Sequence, residues 1–203
     1  MMRFLIFIVL VFSFSGLYAQ QRYSFEYWHD GKVVLETGDT ITSKIKYNLQ
    51  TDIIQVSVNK KIQTYSARKV LFFEIFDITE KRYRQFYSMP FTTSTEYKSP
   101  IFFELLVEGK MTVLCRETLE YRTVTNPYST FGNTQRLVMV FHYYLLEENG
   151  EVVDVKDTKS IWLELMGNKE EQVQKYAKEN KLDYEKKYEL AKIVAYYNSL
   201  FKK

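Results

Sequence analysis

The sequence predicts a mainly β protein with C-terminal helices. The expected form is an antiparallel β-sandwich or curved open barrel of about nine to eleven strands, with helices packed on one face or end. Three observations predict it. Short runs of alternating polarity recur between turn signals up to residue 155, their connections are too short for parallel crossovers, and the apolar period lengthens to three and four after about Thr158. The 17 Tyr and 15 Phe residues fit half-buried strand surfaces, which accommodate flat rings.

The segment Tyr23 to Asn48 carries turn signals at Asp30-Gly31 and Gly38-Asp39. Ile41, Ile45 and Tyr47 share one parity, and Thr42, Lys44 and Lys46 the other, which predicts a strand with one wet face. Ile54, Val56 and Val58 repeat the pattern, and a turn at Asn59-Lys60-Lys61 leads into Ile62 to Ser66. These three runs read as consecutive antiparallel neighbours. The stretch VLFFEIF, Val70 to Phe76, is apolar on both parities except Glu74, as in a central strand covered on both sides. Arg82 to Tyr87 follows as a more exposed strand with two arginines on one face. Ser88 to Pro100, with two prolines and clustered Ser and Thr, reads as irregular.

Ile101 to Val107 resumes strand character, and Glu108-Gly109-Lys110 turns the chain into Met111 to Tyr121, where Met111, Val113, Cys115, Leu119 and Tyr121 share a face. After a loop at Thr125 to Gln135 comes the aromatic strand Arg136 to Leu146. Asn149-Gly150 then predicts a type I′ hairpin, because that turn needs positive φ at both central residues. Thr158 to Met166 is read as a short helix, and a second opens at Asn168 with a capping-box spacing to Glu171 and runs to about Lys181. A third, from about Tyr184 to Phe201, lines up Leu190, Ile193, Val194, Tyr197 and Phe201 as a stripe that must pack on something.

Positions 1 to 19, MMRFLIFIVLVFSFSGLYA, order a basic residue, an apolar run and the small residue Ala19 as a cleavable export signal does. The apolar run Phe4 to Phe12 is short against the roughly 20 residues that cross a bilayer. Residues 20–203 are read as one β-rich domain whose helical part spans about 158–203. The chain holds 28 basic and 25 acidic residues, a balance that argues against nucleic acid as a partner. A single cysteine, Cys115, allows no internal disulfide, so a core must carry stability.

Chemistry-bearing residues are few. His29 and His142 could share a metal only with a carboxylate such as Asp30 or Asp39, and their spacing gives no support for it. Cys115 with His142 as base is a second pairing, set against a buried thiol acting as a small hydrophobe. Glu104, Glu117 and Glu120 offer carboxylate pairs for a hydrolase. No nucleotide or dinucleotide fingerprint occurs, so no cofactor is expected and no catalytic residue is assigned. A further constellation is a band of Tyr83, Arg84, Phe86 and Tyr87, joined by Tyr97, Tyr128 and Phe131 from the two irregular segments, as a binding surface, set against the stronger reading that these rings cover the sheet edges and complete the core.

The residues Gly31, Val33 and Leu35 ahead of Gly38-Asp39, the stretch YSARKVLFFEIFD at Tyr65 to Asp77 and YYNSLF at Tyr196 to Phe201 resemble uncharacterised exported β-rich proteins of Bacteroidetes. The resemblance implies a location in the periplasm or cell envelope and supplies no activity. Together these readings give an expectation of a non-enzymatic envelope module that binds a protein or surface component. The alternatives are a carrier of an apolar or aromatic small molecule in a curved-sheet cavity and a carboxylate-dependent hydrolase.

Overall fold

The structure, a computed structural model, describes residues 23–92, 97–124, 134–156 and 159–201. Ten strands form one antiparallel sheet: β1 (His29–Leu35), β2 (Thr40–Asn48), β3 (Ile53–Val58), β4 (Lys61–Ser66), β5 (Val70–Asp77), β6 (Arg82–Phe91), β7 (Ser99–Val107), β8 (Thr112–Val124), β9 (Thr134–Leu146) and β10 (Val152–Val155). Their order is β10-β9-β8-β7-β6-β5-β1-β2-β3-β4, so the sheet stays open, with β10 and β4 at its edges. The helices α1 (Lys159–Met166), α2 (Glu170–Glu179) and α3 (Lys187–Ser199) follow.

The sheet curls strongly. Strands β2 and β8 stand five steps apart in it, which at about 4.8 Å per step would separate them by roughly 24 Å if the sheet were flat. Yet the Tyr47 hydroxyl of β2 meets the Glu117 carboxylate of β8 at 2.5 Å. The face that closes on itself is the inner face. Over β1, β2, β3, β5 and β6 it buries Val33, Ile45, Ile54, Val56, Phe73 and Phe86, with Phe73 and Phe86 stacked at 4.6 Å.

Over β8 and β9 the same face is covered by the helices. Val113, Cys115 and Tyr143 pack against Trp162, Val173, Leu190, Ile193 and Val194. The apolar stripe of the last helix therefore docks on its own sheet, while Phe201 lies beyond the helix end and is 44 % exposed. A polar contact completes the docking: Asn198 donates to the Met111 carbonyl at 2.9 Å and accepts from the Met111 N–H at 2.8 Å. Gly109 makes room for it, since a Cβ there would sit 2.5 Å from the Asn198 amide nitrogen. A smaller cluster, Ile101, Phe103, Leu114 and Val152, lies on the outer face.

Several local expectations are corrected. Asp30-Gly31 is not a turn but the start of β1, where glycine is needed because a Cβ would lie 2.1 Å from the Glu74 carbonyl oxygen of β5. The type I′ turn occurs at Asn59-Lys60, which have φ of 50° and 62° and join the paired residues Val58 and Lys61. At Asn149-Gly150 only the glycine has positive φ, 82°. Its N–H donates to Glu147 O, and Glu147 N–H donates to Glu151 O, the pattern of a type I turn closed by a glycine bulge. Loop length, rather than the Asn-Gly pair, selects the turn.

Strand structure also invades the segment read as irregular, with β6 running to Phe91 and β7 starting at Ser99. Pro90 and Pro100 face one another. Pairing there has no third strand on either side, because β5 stops at Phe72–Tyr87 and β8 at Glu104–Cys115, so neither missing N–H breaks a further ladder. The capping box at Asn168 does not form: Gly167–Lys169 is a 3-10 turn and Lys169 precedes α2 without a side-chain cap. Strand β5 is central but covered on one side only, since Leu71 and Phe76 are exposed.

Beside the main body, β7 and β8 pair only between Glu104–Cys115 and Val107–Val113. Past that point the β2–β3 turn fills the seam. Asp52 accepts the Phe102 N–H at 2.8 Å, and Arg116 donates to Asp52 at 2.8 Å, to the Phe102 carbonyl at 2.5 Å and to the Leu49 carbonyl. Side chains thus satisfy backbone groups that a neighbouring strand would otherwise pair. Outward from the seam, among the described residues, β8 and β9 pair only with each other, from Arg116–His142 to Val124–Thr134.

Candidate functional site

The densest group of polar side chains lies inside the curl. Arg84 of β6 and Glu104 of β7 point to the inner face with Asp77 at the end of β5 and Glu117 of β8, and α3 delivers Lys187. All five are buried. Arg84 donates to Asp77 at 2.8 Å, to Glu104 at 2.8 and 2.6 Å, to Glu117 at 2.9 Å and to the Tyr47 hydroxyl at 2.7 Å. Lys187 donates to Glu104 at 3.2 Å. The planar guanidinium suits this hub because its five N–H donors form a rigid fork.

Burial by itself would raise the carboxyl groups. For Asp77 the Ser24 hydroxyl, Arg84 and Thr79 outweigh burial and hold the acid well below the usual carboxylate range. Glu104 is likewise lowered, because Arg84 and Lys187 overcome its desolvation. Burial pushes the Tyr47 phenol well up, so it stays a donor to Glu117. Lys187 is raised despite burial, chiefly by Glu104, and burial drives Tyr188 up to about 12.

The N-terminal 3-10 turn Ser24–Glu26 caps this cluster. The Ser24 hydroxyl donates to Asp77, and its carbonyl lies 2.8 Å from His29 Nε2. The Ile78 N–H donates to His29 Nδ1 at 3.3 Å, which places the ring's donor at Nε2, toward Ser24 O. His29 is thereby committed to the backbone at both nitrogens.

The structure brings Glu104 and Glu117 together through Arg84 but sets Glu120 on the opposite face, beside His142 at 3.1 Å. Both members of the inner pair are neutralised by cations and closed off from solvent, 2 % and 6 % exposed. Cys115 lies opposite Tyr143 while His142 lies opposite Arg116, so thiol and imidazole point to different faces. Burial holds the Cys115 thiol well above its usual range. Among the described residues no group of three His, Cys, Asp or Glu side chains is arranged for a metal.

The aromatic band divides by strand parity. Arg84 and Phe86 are buried inside, whereas Tyr83 and Tyr87 face outward. Tyr83 stands edge-on to Phe76, centroids 5.2 Å apart, and Tyr87 stacks on Phe72 at 5.5 Å. Between these pairs runs a polar row in which Glu74 meets Lys32 at 3.4 Å and accepts from Gln85 at 2.7 Å. Tyr97 is exposed; Tyr128 and Phe131 lie outside the described residues. A cleft of about 920 Å³ lies between α2 and the connection to α3, lined by Lys175, Lys178, Lys181, Glu171 and Tyr184 among others.

The buried ionic cluster was missed because its members are scattered over five elements. One signal was available: Glu104 interrupts the apolar run IFFELLV. The same signal at Glu74 in VLFFEIF marks an outward residue, so the pattern alone does not separate the two. Comparison of the chain with protein-family models, with curated proteins and with solved structures finds no match.

Proposed function

We propose that the protein is a non-enzymatic module of the periplasm or cell envelope that binds another protein or a surface component. The observation that carries this reading is the outer face of β5 and β6. There Tyr83 is 71 % exposed and leans on Phe76, 36 % exposed, with Leu71 and Ile78 also open to solvent. Large aromatic side chains of this kind supply contact area with few rotatable bonds. The adjoining Lys32–Glu74–Gln85 row is polar and bonded within itself.

The two alternatives have less support. A carrier needs an enclosed, mostly apolar cavity, whereas the inner face is filled by its own side chains and the large cleft is bordered by lysines and glutamates. A carboxylate hydrolase needs an acid with access to a substrate, and Glu104 and Glu117 are spent on Arg84 and Lys187. The export-type N-terminus supports the location.

The test is purification of the mature protein from its native envelope without denaturants, followed by intact-mass analysis of what travels with it. A stoichiometric protein or surface polymer, lost in a Phe76→Ser/Tyr83→Ser variant that melts normally, is the expected result. A stoichiometric apolar small molecule would sink the reading in favour of the carrier.

A further inference from the structure

We infer that the outer edge of β9, from His142 to Arg136, takes up an extended strand of a partner protein in which apolar and acidic side chains alternate. The inference concerns a different surface from the Phe76–Tyr83 face and stands whether or not that face binds.

Three observations lead to it. First, β10 covers β9 only as far as Val155–Tyr143. Beyond it, among the described residues, β9 has β8 on one side and no strand on the other. The stretch RLVMVFH contains neither proline nor carboxylate, its Leu137 carbonyl accepts a hydrogen bond from the Tyr23 hydroxyl at 3.1 Å, and such an edge, with no strand beside it, is a template for strand addition. A strand laid there would continue the line of β10. For contrast, the edge strand β4 carries Lys61 at its start and is preceded by Lys60, residues that discourage pairing.

Second, the two-stranded arm has unlike faces. Leu137, Met139 and Phe141 alternate along β9 and lie opposite Tyr121, Leu119 and Glu117 of β8. Tyr121 is 73 % and Leu137 40 % exposed. An added strand must therefore set apolar side chains on this face.

Third, on the other face Arg122 lies directly opposite Arg136, and like charges so placed are unfavourable. The carboxylate beside them is Glu120, 4.0 Å from Arg122 and already 3.1 Å from His142. An acidic residue of the incoming strand opposite Arg136 supplies the missing countercharge.

The test uses the folded protein and three acetylated ten-residue peptides: alternating Val and Glu, alternating Val and Lys, and a block of Val followed by a block of Glu. The alternating Glu peptide should bind, slow amide exchange at residues 136–142 of β9, and bind at least about tenfold tighter than the other two. An Arg122→Glu/Arg136→Glu variant should invert the preference toward the Lys peptide. Unchanged tryptophan fluorescence, from Trp28 and Trp162, checks its fold, and if that emission shifts, Arg136→Gln serves instead and should abolish the preference without inverting it. Equal binding of all three peptides, protection elsewhere than β9, or self-association through β9 would overturn the proposal.

Discussion

Replacing Arg84 by methionine keeps a side chain of similar length and removes the charge to which three buried carboxylates are bonded. Arg84 is 3 % exposed and donates to Asp77, Glu104, Glu117 and Tyr47. Breaking one buried ion pair from one side costs about 3–5 kcal/mol. Three carboxylates here lose a partner, but they can take up protons instead of staying charged, so the single-pair range, at about 4–5 kcal/mol, is the expectation at pH 7. For a domain of this size that corresponds to a fall in Tm of roughly 8–20 °C.

The pH dependence carries the sharper test. In the parent protein Asp77 and Glu104 are held below their ordinary values, so their contribution is present above about pH 4 and is lost as pH falls through the lowered folded values. In the variant, burial without Arg84 raises the same carboxyls above their unfolded values. Stability relative to the parent should then increase on going from pH 7 to pH 5. Urea unfolding followed by the emission of Trp28 and Trp162 at pH 5, 6 and 7 measures both. A variant within about 1 kcal/mol of the parent at pH 7, or one that weakens relative to the parent between pH 7 and 5, refutes the assigned role of the cluster.

Other outcomes follow from the same geometry. Lys187 and Tyr188 are both raised, so stability should hold up to about pH 10, the ordinary range of these groups, and fall above it as each loses its proton more readily in the unfolded chain; thermal melts across pH 8 to 12 check this. Cys115, fully buried with a raised thiol, should react with iodoacetamide at the rate of unfolding in native buffer and at once in urea; fast native labelling would contradict its placement. Gly109→Ala forces a Cβ to 2.5 Å from Asn198 and should cost about 1–3 kcal/mol, as overpacking does, with amide exchange rising first at Met111. Asp52→Ala removes the acceptor of the Phe102 N–H, and hydrogen exchange at Phe102 should accelerate while that of Phe73 does not.

Much of the architecture was legible because each strand states its own parity. Ile41, Ile45 and Tyr47 were assigned to one face from spacing, and Ile45 and Tyr47 are buried there. Leu190, Ile193, Val194 and Tyr197 were assigned to one helix stripe, and all four are buried. Spacing fails where long-range approach decides. Gly31 looks like half of a turn, yet it is fixed by the Glu74 carbonyl on another strand. Tyr83 and Arg84 are neighbours in sequence and read by composition as one surface, but strand alternation sends them to opposite faces. No local pattern announces that Arg84, Glu104, Glu117 and Lys187 meet, because that depends on how far the sheet curls.

The curl and the cluster are linked, which gives the buried charges a structural use. A sheet of ten twisted strands can remain open with many degrees of coiling, and apolar contacts alone tolerate some sliding between its two arms. Arg84 sits on β6, near the middle of the strand order, and binds Tyr47 toward one end and Glu117 toward the other; Tyr47 and Glu117 then bond to each other. These bonds are directional, so a small change in curvature breaks all of them together and leaves unpaired charge inside. The Asp52–Arg116 seam does the same at the second crossing, between the β2–β3 turn and the root of the β8–β9 arm. We predict that replacing the hub by a neutral set of similar volume, Arg84→Met and Lys187→Met with Asp77→Asn, Glu104→Gln and Glu117→Gln, recovers much of the stability lost in Arg84→Met. The cost should appear instead as looser curvature, read as faster amide exchange along β2 and β8 with an unchanged midpoint. If exchange along both strands stays at the parent rate, packing alone sets the curl and the charges contribute nothing to its shape.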